Sequence, residues 1–167
     1  MIKPLNLIWR GSLEGLPVGQ QGPRMPGEEA MSESRLEPKF TEDGAWGDLV
    51  VSILSVNQYS LERTYRSVNG LREQGLFSPE NLMRWEPSEI VRRLKSASCD
   101  RGQFMTNLFA LRLAAVGTLI EMKGLVACTT IVSSSDTRAI EELLLPVNGI
   151  GPKVLANFYL LRGIPQR

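Results

Sequence analysis

The chain has 167 residues, enough for one domain with a sizeable core, and 43% of them are hydrophobic, an ordinary globular share. Its formal net charge is +1, so no global field marks a nucleic-acid binder, and any such role rests on local patches. It contains no histidine, which excludes Ser–His and Cys–His nucleophile pairs and every His-containing metal site. The two cysteines, Cys99 and Cys128, are too few and too far apart for a four-thiolate zinc or iron–sulfur centre. They read as small buried hydrophobes in a reducing compartment, and no metal or cofactor is expected. No apolar run is expected to approach the ~20 residues of a membrane span. The opening "MIKPLNLIWRG" lacks the sustained apolar stretch of a signal peptide. A cytoplasmic protein with no membrane partner is the expectation.

Residues 1–40 hold Pro4, Pro17, Pro23, Pro26 and Pro38 and show no sustained hydrophobic period, so they read as an irregular or disordered lead. Met31, opening "MSESRLEPKF", would serve as an alternative start. Residues 41–167 form the helical domain. Trp46, Leu49, Val50, Ile53 and Leu54 follow i, i+3, i+4 spacing and predict a first helix. Leu61, Tyr65 and Val68 predict a second. "FSPENLMRW" starts a third, with Ser78 as N-cap and Pro79 at the first helical position. "EPSEIVRRLK" repeats the device with Pro87. A long helix follows over roughly 103–121, with Phe104, Leu108, Leu111, Ala115 and Leu119 on one stripe. "LVACTTIV", 125–132, is rich in Thr and Val and reads as an extended linker. Ser135 or Asp136 caps a further helix through Leu144, and Pro152 starts the last. Seven helical segments on short connections make an all-α domain.

The stretch "PVNGIGPK" joins the last two helices. Gly149 and Gly151 permit positive φ and close backbone approach, and Ile150 between them would plug the gap between the helices. Two readings stay open. One is a helix C-cap followed by another helix. The other is an anion pocket, in which free N–H groups of Asn148, Gly149, Ile150 and Gly151 and the positive end of the next helix receive a phosphate. Lys153 is a surface lysine on the plainer reading. Yet a cation in the first turn of a helix opposes the macrodipole. That placement favours the neutral, nucleophilic amine, so Lys153 is a catalytic candidate. Asn57 stands where the first helix expects a core residue. It is either a satisfied buried amide or a polar group at the mouth of a pocket. Arg92, Arg93, Lys95 and Arg101 form either a solvated face or a backbone-binding patch.

"LPVNGIGPKVLA" resembles the hairpin segment of the endonuclease III-like DNA glycosylases, the helix-hairpin-helix-GPD superfamily, with one residue inserted before the hairpin. "LVVSILSVNQYSLERTYRSVNGL" is similar to that family's upstream helix pair, and "FSPENLMRWEPSEIVRRLKSAS" to its next segment. The resemblance covers about Ala45 to Gly163. It implies an all-α bundle of the helix-hairpin-helix glycosylase type that binds double-stranded DNA, nucleoid-associated if bacterial. It implies a hairpin that grips the backbone through Asn148, Gly149, Ile150, Gly151 and Lys153. It makes Lys153 the nucleophile that attacks C1′ in bifunctional members. It places Asn57 at the base pocket and Gln58 near the wedge that fills the space of a flipped base; the strict match of the wedge is Val56.

The family's essential aspartate would fall beyond Arg167, as would its iron–sulfur loop. The resemblance therefore implies a C-terminally truncated domain with very slow or absent base removal. Asp136 and Glu142 do not match the aspartate's position. Three explanations remain: a fragment of a glycosylase, a catalytically silent DNA-binding relative, or an α-helical interaction module.

Overall fold

The computed structural model describes residues 43–57 and 59–166. They belong to one compact unit, Asp43–Arg167. Among the described residues there are nine helices and no strands: α1 (43–54), α2 (Leu61–Tyr65), α3 (Val68–Glu73), α4 (Pro79–Arg84), α5 (Pro87–Ser96), α6 (Gly102–Lys123), α7 (Leu125–Val132), α8 (Thr137–Leu144) and α9 (Pro152–Arg162). The all-α expectation holds. The irregular lead of residues 1–40 lies outside the described residues.

The capping chemistry follows the sequence closely. Ser78 accepts from the Asn81 N–H at 3.4 Å ahead of Pro79, and Asp136 accepts from the Ala139 N–H at 3.1 Å. Each cap satisfies one of the four N–H groups a helix start leaves unpaired. Gly163 ends α9 in the left-handed conformation at φ 71°.

Tertiary packing departs from the sequence pattern in four places. First, α1 is buried on every side: Ala45 through Val56 are all buried, Asp48, Ser52 and Ser55 included. The pattern of Trp46, Leu49, Val50, Ile53 and Leu54 described one face of what is the central helix. Each fully buried Leu or Ile here stabilises by about 1.5–3 kcal/mol relative to exposure.

Second, the expected second helix is two. The chain turns at Arg66 and Ser67, so Leu61–Tyr65 and Val68–Glu73 are separate. Gly70 lets α3 meet the end of α5: a Cβ there would stand 2.7 Å from the Ala97 carbonyl oxygen.

Third, "LVACTTIV" is not an extended linker but helix α7. Gly124 at φ 96° stops α6 and starts α7, and Cys128 and Val132 are buried along its inner side. The Trp46 indole N–H donates to Thr129 Oγ1 at 3.0 Å, tying α7 to α1. Burial and this bond override the modest helix propensity of Val and Thr, which is worth only a few tenths of a kcal/mol per residue.

Fourth, the buried face of α6 carries Thr106, Phe109, Ala110, Leu113, Val116, Gly117 and Ile120, packed against α4 and α5. The Phe104–Leu111 stripe is its outer face, with Phe104 76% and Leu111 56% exposed. Gly117 allows the contact with α4, since a Cβ there would stand 2.0 Å from the Leu82 carbonyl oxygen. A helix apolar all round defeats a one-stripe reading. At 22 residues, with mean hydropathy 1.3 over its most apolar window, α6 is also long and apolar enough to cross a membrane, although no single uninterrupted apolar run is.

Candidate nucleic-acid interface

The loop between α8 and α9 is a tight hairpin. The Val147 N–H donates to the Leu144 carbonyl at 2.9 Å, and the Ile150 N–H to the Val147 carbonyl at 3.1 Å. The N–H groups of Asn148, Gly149, Gly151 and Lys153 have no hydrogen-bond partner among the described residues. Ile150 is buried, while Asn148 and Lys153 are exposed. Gly149 sits at φ 97°, where glycine is required. Gly151 does not need positive φ. It is extended at φ −119° and ψ −170° as the N-cap of α9, with open space where a Cβ would be. The unpaired N–H groups and the start of α9 present a cluster of donors at the hairpin.

Helix α9 is fixed against the central helix by two polar contacts. Asn157 Nδ2 donates to the Ser55 carbonyl at 3.1 Å, and Arg162 Nη1 donates to Asp48 Oδ2 at 3.1 Å. The pairs run in opposite chain order, so α9 lies antiparallel to α1. The first turn of α9, with Lys153, is therefore at the same end as the C-terminus of α1 and Asn57. Asn57 is not buried: α1 stops at Leu54, and Asn57 is an exposed residue at φ 56° with no side-chain hydrogen bond among the described residues. Asparagine tolerates this left-handed conformation better than most residues. Gln58 lies outside the described residues. Val56 is buried, which removes it as a wedge.

The Arg92–Arg101 cluster divides. Arg92 and Arg93 both bind Glu89, whose carboxyl is held down at about 2 by those two guanidinium groups. Arg93 also donates to the Gln74 carbonyl at 3.1 Å and covers the Trp85 ring. Arg101 is elsewhere, at the end of α1. It donates to the Leu54 carbonyl and, at 3.0 Å, to Thr64 Oγ1, closing the C-terminus of α1.

From Arg101 a row of side chains leads to the hairpin. Arg101 and Arg63 both stand over the Tyr59 ring, at 4.1 and 4.6 Å from its centroid. Tyr59 meets Phe109 edge to face at 6.1 Å. Arg101 and Arg112 stand 5.4 and 5.8 Å from the Phe109 centroid. The stem of Arg112 lies on Gly149, where an added Cβ would come within 2.4 Å of its Cγ. The sequence reading did not single out Arg63, Tyr59 or Arg112. A signal for Arg112 was present: it is the one charged residue of α6 between Gly102 and Ile120.

The carboxylates at and along α8 are engaged within α8 or with α9. Asp136 caps it, Glu142 pairs with Arg138 at 3.3 Å, and Glu141 accepts from the Tyr159 hydroxyl at 3.2 Å. The buried Asp48 is at the far end of α9 from Lys153, beside Arg162. Nine residues at 1.5 Å each separate the two ends of that helix by roughly 14 Å. Among the described residues no group of three or more Cys, Asp or Glu side chains stands close enough to hold a metal ion. Comparison with protein-family models, curated proteins and solved structures finds no match to this chain.

Proposed function

We propose that this chain is a duplex-DNA-binding protein of the base-excision-repair type, gripping one strand through the Asn148–Lys153 hairpin, with Lys153 as an amine nucleophile of the glycosylase/AP lyase kind. The observation that carries the reading is the hairpin itself. Its Asn148, Gly149, Gly151 and Lys153 amides are unpaired among the described residues, Gly149 holds it in a conformation only glycine takes easily, and Lys153 has no ion pair among the described residues. A DNA phosphate fits such a surface without base-specific contact. With the α8 carboxylates committed elsewhere, the chemistry assigned to Lys153 is addition to C1′ of a pre-formed abasic sugar. Loss of water then gives an imine that borohydride reduces to a stable amine.

Two measurements test this. Duplex affinity is expected to fall steeply with salt, and Gly151→Val to weaken it by blocking backbone approach at a site with open space for a Cβ. Borohydride trapping on abasic duplex is expected to give an adduct that Lys153→Ala abolishes. An adduct that persists in Lys153→Ala removes the lysine role, and undetectable duplex binding removes the grip.

A second reading, an α-helical protein-interaction module, is favoured by one observation. Phe104, Leu111 and Met122 on α6 and Val126 on α7 are all more than half exposed. Self-association or partner binding that is insensitive to salt, without duplex affinity, would select it.

A further inference from the structure

Five of the ten arginines among the described residues are neutralised in place. Arg72 pairs with Asp43, Arg92 and Arg93 with Glu89, Arg138 with Glu142 and Arg162 with Asp48. Arg63, Arg101 and Arg112 are different. None has a carboxylate partner among the described residues, and all three stand on the two rings, Tyr59 and Phe109, that lead to Gly149. Of the acids next to these arginines in sequence, Glu62 is exposed and makes no ion pair among the described residues, and Asp100 is turned to α6, accepting from the Gly102 N–H at 3.1 Å and from Thr106 Oγ1 at 3.3 Å. In a chain of net charge +1, this is a local concentration of uncompensated positive charge.

Each arginine has a distinct part. Arg101 spends one donor on the Leu54 carbonyl at the end of α1 and one on Thr64 Oγ1 of α2, and so anchors the row. Arg63 is exposed and makes only its ring contact, so its N–H donors face water. Arg112 is held by its stem on Gly149 and by the Phe109 ring, and its guanidinium donors are equally unspent. A guanidinium laid over a ring face loses little further freedom on binding a planar pair of phosphate oxygens. The cation and the hairpin amides then adjoin through Gly149, so one strand can pass from the amides to Arg112 and on towards Arg63.

We infer that Arg112 and Arg63, mounted on Phe109 and Tyr59, form a phosphodiester-binding track that extends the hairpin grip along the same nucleic-acid strand. The inference rests on the duplex-binding reading for its ligand, but its residues are separate from the hairpin's and can fail separately. Fluorescence anisotropy of the full chain with a labelled 20-base-pair duplex, over a series of salt concentrations, tests it. Arg112→Gln and Arg63→Gln are each expected to weaken binding about three- to tenfold and to lower the salt slope by about one. Arg138→Gln, whose side chain is paired on α8, is expected to stay within about twofold of the parent, the size of an unspecific charge effect. Unchanged helicity by circular dichroism secures the comparison, and Arg101 is left intact because it closes α1.

Parent affinity and slope in both variants, with binding still weakened by Gly151→Val, would overturn the track and leave the hairpin grip standing. If the duplex does not bind but a single-stranded oligonucleotide does, and binding is lost in Arg63→Gln and Arg112→Gln, the duplex reading fails and the track stands. Binding of neither nucleic acid overturns both.

Discussion

The two ends of α9 are built on opposite principles. At its C-terminal end Arg162 reaches the buried Asp48, and Gly163 closes the helix in the left-handed conformation. At its N-terminal end four hairpin amides, of Asn148, Gly149, Gly151 and Lys153, are unpaired among the described residues, Lys153 opposes the helix dipole, and Arg112 lies beside them without a carboxylate partner there. One end compensates a buried charge because α1 places Asp48 in the core and leaves no alternative. The other end faces water, where unspent donors cost little and remain available to a ligand. The compensated end is not fully so: Asp48 Oδ1 and Arg162 Nε are buried without a hydrogen-bond partner among the described residues. Burial pushes the Asp48 carboxyl up to about 7 even though Arg162 pulls it down.

The largest effect is expected from breaking the closed end. Asp48→Ala leaves Arg162 without its partner and is expected to destabilise by about 3–5 kcal/mol in urea titrations, whereas the double change Asp48→Asn with Arg162→Met, which removes both charges, is expected to recover most of that loss. A double variant as unstable as Asp48→Ala would show that packing, not charge, holds this end.

The pH dependence of the same pair comes next. The folded carboxyl titrates near 7 and the unfolded one near 3.8, so its contribution to stability is complete below about pH 3.8 and is lost as pH rises towards 7. Relative to Asp48→Asn, the parent is expected to lose about 1.4 kcal/mol per pH unit between those values. Parallel stability curves for the two proteins would contradict the burial argument. Glu89, held at about 2 against an ordinary 4.5, acts in the opposite sense and mostly at lower pH than this window.

The open end should respond in function more than in stability. Gly149→Ala must adopt φ 97° and displace the Arg112 stem, at a cost of about 1–2 kcal/mol. Its loss of duplex affinity should exceed that of Arg112→Gln, since amides and guanidinium move together. Smallest of all, Lys153→Met removes a cation from the start of a helix and is expected to raise stability by about 0.3 kcal/mol, measured as a small rise in Tm. A fall in Tm would mean that Lys153 makes a structural contact at the hairpin.

Much of this was legible in the sequence, and the division follows the range of the interactions. Caps and breaks are local: Ser78, Pro79, Pro87, Asp136 and Pro152 act on backbone groups within a few residues, so those helix starts could be read directly. The hairpin was equally legible, because Gly149 permits the positive φ the turn needs and Pro152 fixes its own φ.

Only the tertiary structure decided which faces are buried. α1 and α6 carry apolar residues around most of their circumference, so periodicity could not tell a central helix from a surface one, nor the Phe109 face of α6 from the Phe104 face. The same is true of α7, where Trp46 of α1 and burial of Cys128 set the conformation of a Thr- and Val-rich segment. Asn57 looked like a core position because the helix was assumed to continue, and it is exposed because α1 stops at Leu54. The Arg63–Arg112 row was invisible for a related reason. Its members come from α2, α6 and the loops beside them, and only the fold brings residues 59, 63, 101, 109, 112 and 149 together. The sequence by itself determined an all-α chain with a glycine hairpin and a lysine after it. Where charge is neutralised and where it is left exposed was set by the packing of those helices, because burial depends on every neighbour in space and not on the next residue along the chain.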